Sequence, residues 1–158
     1  MAKWPAPVYH IELDLEAPVG YAFRWCTDYR TDDAERSKER FERRILSRSR
    51  ERIIFEDAGW TPKGWIWRRS QVSLRPPGRW HADTVGSFRT GVVDYALTPL
   101  AGDRSRFSLT FRRRPSSAHP EQPTKRELEE ELTRMWTNYG TAMARDYRAS
   151  RRRRARSR

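Results

Sequence analysis

Thr124–Ala149, TKRELEEELTRMWTNYGTAMARDYRA, is the stretch on which the fold turns. Thr124 followed by Glu127 is a capping-box pattern, in which the side chain at each end satisfies a backbone N–H at the other. Leu128, Leu132, Met135, Trp136, Tyr139, Ala142, Met143 and Tyr147 then recur by threes and fours, the spacing that gathers side chains on one helical face. The pattern predicts a single long helix over about Lys125–Ala149 with an aromatic, methionine-rich inner stripe. Such a stripe needs a cover.

Upstream, the chain offers one. Val8–Ala17 (VYHIELDLEA) places Tyr9, Ile11, Leu13, Leu15 and Ala17 on one face and His10, Glu12, Asp14 and Glu16 on the other, the period-2 alternation of a half-buried strand. Pro18 suits a first helical turn, and Val19, Ala22, Phe23 and Cys26 follow at helical spacing, so Pro18–Thr27 is a short helix. After Asp28 the sequence TDDAERS predicts a second one, with Thr31 as its cap and Asp32 and Asp33 in the first turn. From about Arg40 to Arg114 apolar runs alternate with turn residues: Arg40–Arg48, Arg52–Asp57, Gly64–Leu74, Arg79–Val85, Thr90–Pro99 and a run through Phe107, Leu109 and Phe111. Ser49–Glu51, Pro76-Pro77-Gly78 and Ala101-Gly102-Asp103 read as turns, and Arg114–Pro123 as a Pro/Ser loop. Seven strands with short connections predict an antiparallel meander, not βαβ units.

The length of 158 residues suits one domain, which the pattern places over residues 1–149. A single cysteine, Cys26, excludes an intrachain disulfide and points to a reducing compartment. With no secretory pattern in MAKWPAPVYH and no apolar run of membrane-spanning length, the expected location is cytoplasmic. The net charge of +12 comes almost wholly from arginine, lysine standing only at positions 3, 38, 63 and 125. Six arginines fall in Ser150–Arg158, a tail expected to be disordered. Through Arg151–Arg158 it is a candidate for weak, nonspecific contact with a polyanion. Seven Trp, six Tyr and six Phe are the other excess. Aromatic side chains bury large areas and often wall ligand sites.

The order strand, two short helices, six strands and one long helix resembles the helix-grip architecture of the START-like (SRPBCC) superfamily, which includes polyketide cyclases/dehydrases and lipid-transfer proteins. Glu16-Ala17-Pro18, the aromatic-rich Tyr21–Trp25, Cys26-Thr27-Asp28-Tyr29 and Leu74-Arg75-Pro76-Pro77-Gly78-Arg79-Trp80 carry the resemblance, which spans about residues 8–149. It implies an α+β fold in which a curved antiparallel sheet of about seven strands wraps the C-terminal helix and encloses a cavity. Members of that superfamily include binders, carriers and some enzymes, and the function expected here is non-enzymatic binding or transport of a small hydrophobic, lipid- or polyketide-like molecule, with no cofactor. An aromatase/cyclase-type enzyme is the alternative, and an interaction protein with a polyanion-binding tail is a third reading.

The candidate ligand-binding residues are Trp25, Trp65, Trp67, Arg69, Gln71, Trp80, Thr84, Tyr95, Phe107, Phe111, Trp136, Tyr139 and Met143, with Tyr29 in the same aromatic set. Gly64–Leu74 has two mixed faces: Trp65, Trp67, Arg69, Gln71 and Ser73 on one, Ile66, Arg68, Ser70, Val72 and Leu74 on the other. If the first face is inward, Arg69 and Gln71 are placed to anchor a polar group; if outward, they are solvated. His81 and Asp83, two apart on one strand, are spaced for an acid/base pair but also for an ordinary wet face. His10 and His119 stand alone, no grouping has metal-ligand spacing, and Cys26 reads as a small buried residue.

Overall fold

In the computed structural model, residues 7–61, 64–87, 90–114 and 123–157 are described. His119 and most of the Pro/Ser loop lie outside them. The alternation in the first segment becomes β1 (Val8–Leu15), with Tyr9, Ile11 and Leu15 buried and the intervening His10, Glu12 and Asp14 in water. Two short helices follow, α1 (Val19–Thr27) and α2 (Asp33–Ser37). The second begins one residue later than its expected cap: Asp32, not Thr31, holds the N-cap position, and its side chain bonds Arg30 instead of the helix backbone.

Six strands then run consecutively: β2 (Glu42–Arg48), β3 (Arg52–Thr61), β4 (Gly64–Arg75), β5 (Arg79–Gly86), β6 (Gly91–Leu100) and β7 (Arg104–Arg113). All pairings are antiparallel, and the order across the sheet is β1-β7-β6-β5-β4-β3-β2. The predicted meander is therefore present, with β1 brought round to β7 and the sheet left open between the two ends. Gly102 makes the β6–β7 turn with φ +72°, a conformation that costs glycine no side-chain clash. The pairing of β2 with β3 shifts register between Ile45 and Ser47.

One long helix, α3 (Lys125–Arg156), closes the concave face. Its start is the predicted capping box, with the backbone N–H of Glu127 donating to Thr124 Oγ1 at 3.2 Å and that of Thr124 to Glu127 Oε2 at 2.9 Å. Leu128, Leu132, Met135, Trp136, Ala142 and Met143 are buried along its inner side. Phe107 of β7 meets the Trp136 ring at 4.3 Å between centroids. Along the edge, Glu129 accepts the outward backbone N–H of His10 at 2.8 Å, occupying a donor that β1 would otherwise show to solvent. Asn138 donates to the Ser37 carbonyl at 3.0 Å and fastens α3 to α2.

The disordered tail expected from Ser150 is not what forms. Helix α3 continues through it to Arg156. Arginine is a good helix former, and cations in a last turn offset the negative end of the helix macrodipole. Arg151 is also held, its Nη1 donating to Asp103 Oδ2 at 2.9 Å. No helix among the described residues is long and apolar enough to cross a membrane.

Met143 is 1% exposed at the middle of the buried stripe. Met143→Ala is expected to lower unfolding free energy by about 2–5 kcal/mol, the range for a large-to-small change that leaves a cavity, in a denaturant titration.

Candidate ligand cavity and its charged end

Between the concave sheet and α3 lies a partly enclosed cavity of about 90 Å³. Its aromatic and aliphatic wall comes from Trp25 of α1, Tyr29 between α1 and α2, Phe55, Val93, Tyr95, Leu109 and Phe111 of the sheet, and Leu132, Met135, Trp136 and Tyr139 of α3. The strands that reach it place side chains by alternation, so Ala82 and Thr84 of β5 and Ser70 of β4 face inward together. Ser70 and Thr84 hydroxyls bond each other at 2.9 Å. The indole Nε1 of Trp136 is buried and has no hydrogen-bond partner, an unusual state for a buried donor.

One end of the cavity is charged. Asp57, 1% exposed, receives a bidentate grip from Arg43, Nε to Oδ1 at 2.7 Å and Nη2 to Oδ2 at 2.9 Å. Arg68 adds Nε and Nη2 to the same Oδ2 at 2.9 and 2.7 Å. The remaining Nη1 of Arg43 donates to Asp33 at the start of α2. Two guanidiniums thus meet two carboxylates, and Arg43 also lies over the Phe55 ring at 4.3 Å. Burial pushes the Asp57 carboxyl up, but Arg68 and Arg43 more than offset it and hold it below the ordinary aspartate value. Burial has the upper hand at Asp33, whose carboxyl is raised despite Arg43 and Arg36. Burial likewise raises the Tyr29 and Tyr139 phenols and the Cys26 thiol, so all three stay protonated at neutral pH. As a neutral thiol, Cys26 is a packing residue and a poor nucleophile.

Six of the thirteen residues named from sequence line this cavity: Trp25, Thr84, Tyr95, Phe111, Trp136 and Tyr139. Trp80, Phe107 and Met143 are buried beside it as packing, with Trp80 stacked on Tyr95 at 4.7 Å. The other four are on the wrong side of the sheet. Val72 and Ser70 are the buried members of β4, which turns Trp65, Trp67, Arg69 and Gln71 outward; Trp65 is 51% exposed, and Arg69 pairs with Glu56 at 2.6 Å in solvent. His81 is also outward, and its neighbour across the strands is Asp94, Nδ1 to Oδ1 at 2.7 Å, while Asp83 pairs with Arg114. His81 and Asp83 thus take separate partners on the wet face, the ordinary one of the two readings open from sequence.

Arg43, Arg68, Asp33 and Asp57 escaped the sequence reading. A signal existed for two of them. Asp57 continues the inward alternation Ile53, Phe55, Asp57, and Arg68 continues Val72, Ser70, Arg68. A charge in phase with an apolar face, twice on paired strands, marks a buried ion pair.

No family model matches the chain, and no curated protein matches it. Solved structures do. A START superfamily protein from Mycobacterium smegmatis superposes with a TM-score of 0.70 at 11% identity, over 87% of this chain and 97% of that one. The Zhui aromatase/cyclase from a Streptomyces species gives 0.61 at 15% identity, over 89% and 93%. The ginseng major latex-like protein 151 from Panax ginseng gives 0.64 at 6% identity, over 89% and 99%. The chain has a START/SRPBCC-type, helix-grip fold: an open, curved, seven-stranded antiparallel sheet around a long C-terminal helix. An aromatase/cyclase and a START superfamily protein share that architecture, so the fold alone assigns no activity.

Removing one partner of a buried ion pair strands the others. Asp57→Asn leaves two guanidiniums facing a neutral amide and is expected to cost about 3–5 kcal/mol in chemical denaturation. A second test concerns pH. Asp28, at the end of α1, has a buried Oδ1 without a partner, and burial followed by the neighbouring Asp33 pushes its carboxyl from 3.8 up to about 6, against Arg36, Arg30 and Arg48. An acid raised in the folded state is neutral in both states below about pH 4 and costs stability as pH climbs to about 6, above which the penalty is constant. Asp28→Asn should therefore raise the melting temperature at pH 7.5 and leave it nearly unchanged at about pH 3, below the unfolded value of 3.8.

Proposed function

We propose that this protein binds a compact hydrophobic molecule, with an aromatic ring, in the space between the sheet and α3, and does so without catalysing its conversion. The observation that carries the reading is a largely aromatic cavity that keeps a buried, unbonded indole N–H at Trp136. A ligand acceptor at that nitrogen would complete it. The protonated phenols of Tyr29 and Tyr139 and the Ser70–Thr84 hydroxyls supply further polar contacts at fixed places, the usual arrangement in which apolar burial gives affinity and a few polar groups give orientation.

Size narrows the ligand. Drug-sized ligands occupy pockets of about 300–1,000 Å³, whereas an apolar cavity of about 150 Å³ takes benzene. At about 90 Å³ the enclosed space is smaller than even that, so one ring is the upper limit and enters only as the wall side chains give way, while an acyl chain or an extended polyketide is excluded. The aromatase/cyclase alternative draws on one feature, Asp33, the only carboxylate among the cavity-lining residues and one with a raised pKa. Its carboxylate is engaged by Arg43, however, and no histidine among the described residues lines the cavity. Binding accounts for the site with less.

Native mass spectrometry of protein purified without denaturation should show a bound small molecule of a single ring. Ala82→Phe, which extends a side chain from the cavity wall into the space, should abolish the adduct while the far-ultraviolet circular dichroism stays unchanged. An adduct that survives this substitution would place the ligand elsewhere.

A further inference from the structure

The arginine-rich end of α3 is not a free surface. Asp146, Ala149, Ser150, Arg153 and Arg154 form one face of the helix, by the i, i+3, i+4, i+7, i+8 spacing, and that face borders an open groove of about 590 Å³ against α1 and α2. Opposite stand Tyr21, Arg24, Trp25, Asp28, Arg30 and Arg36. The groove therefore gathers five arginines and two aspartates. Arg30 is engaged by Asp32, and Arg36 by Asp32 and Asp146. Arg24, Arg153 and Arg154 have no carboxylate partner among the described residues, so three guanidiniums present unused donors to one concavity. Guanidinium is the side chain best matched to oxyanions, because its fork donates two parallel hydrogen bonds.

Trp25 joins this groove to the cavity, since it borders both. Its ring packs edge-on to Tyr139 at 5.9 Å on the cavity side. On the groove side Arg36 covers it at 4.9 Å and its Nε1 donates to Asp146 at 3.0 Å. A single indole separates an apolar space sized for one ring from a basic space several times larger.

We propose that the groove is an oxyanion-binding site continuous with the cavity across Trp25. The ligand class is then a compact aromatic molecule bearing a sulfonate, phosphate or carboxylate, its ring against the cavity and its anionic group against Arg24, Arg153 and Arg154. This rests on the cavity reading above and adds to it the charge of the ligand and the place where that charge is held. It also gives the helical arginine run a task beyond neutralising the helix end.

Two one-ring probes of nearly equal shape, followed by isothermal titration calorimetry, test it: benzenesulfonate and its neutral analogue methyl phenyl sulfone. Both are titrated into the full-length protein, into Arg153→Glu/Arg154→Glu, and into Arg148→Glu/Arg152→Glu, a control on α3 with the same change of charge at exposed positions that do not line the groove. The wild type should bind the sulfonate at least tenfold tighter than the neutral probe. In Arg153→Glu/Arg154→Glu that advantage should disappear with the neutral probe unaffected, and in the control pair it should persist. An advantage that survives in Arg153→Glu/Arg154→Glu, or that falls equally in the control, overturns the groove while leaving the cavity reading intact if the neutral probe still binds. If Ala82→Phe abolishes neutral-probe binding but leaves the arginine-dependent sulfonate binding untouched, the two spaces are not one site and their continuity is refuted.

Discussion

A seven-stranded antiparallel sheet with one apolar face cannot persist alone in water, and only α3 is long enough to cover that face. The contact between the helix stripe and the concave sheet, centred on Trp136 against Phe107 and Tyr95, is thus the constraint from which the other features follow. The helix runs unbroken from Lys125 to Arg156 while the sheet bends, so the two surfaces do not meet everywhere. Large aromatic side chains fill much of the mismatch, and the residue of unfilled space is the cavity. Helices α1 and α2 close one side of it through Trp25, Tyr139 and the Asn138–Ser37 bond.

The charged end has a different logic. Four ionised groups sit where an all-apolar arrangement would pack as well, and buried ion pairs seldom add net stability over apolar replacements of similar volume. What they supply is position. Asp57 on β3 draws Arg43 from β2 and Arg68 from β4, and Arg43 reaches on to Asp33 of α2. Three adjacent strands are registered to one another by a single carboxylate, and a short helix is tied to them through a second. The same four groups give the cavity a polar pole opposite its aromatic walls, an asymmetry that would let it distinguish the two ends of a ligand.

Much of the architecture was legible in the sequence because period is a strong signal. The β1 alternation, the capping box at Thr124 and the threes and fours from Leu128 to Tyr147 each admit one reading, and together they leave few ways to bury what they expose. The site was less legible. In β4 both faces carry tryptophan or isoleucine beside arginine, so alternation could not say which faces inward; that choice is made by β3 and β5, whose Phe55 and Thr84 pair with Ser70. Hence Trp65, Trp67, Arg69 and Gln71 lie on the outer face, while Trp25, Tyr95, Phe111 and Trp136, on elements with a clear apolar face, border the cavity. The arginine run was misread for another reason: its composition resembles a solvated tail, yet it continues a helix already nucleated and is tied to Asp103.

The open end of the sheet has a consequence for how the protein behaves in a crowd of its own kind. Strand β2 shows its outer hydrogen-bonding groups, the natural template for another chain to extend. The register break between Ile45 and Ser47 interrupts that template midway, and Glu42, Arg44 and Arg48 stud it with exposed charge. An incoming strand would find no continuous ladder and would have to desolvate ions at nearly every second step. Irregularity here acts as a guard against fibrous self-association, allowing the sheet to remain unclosed.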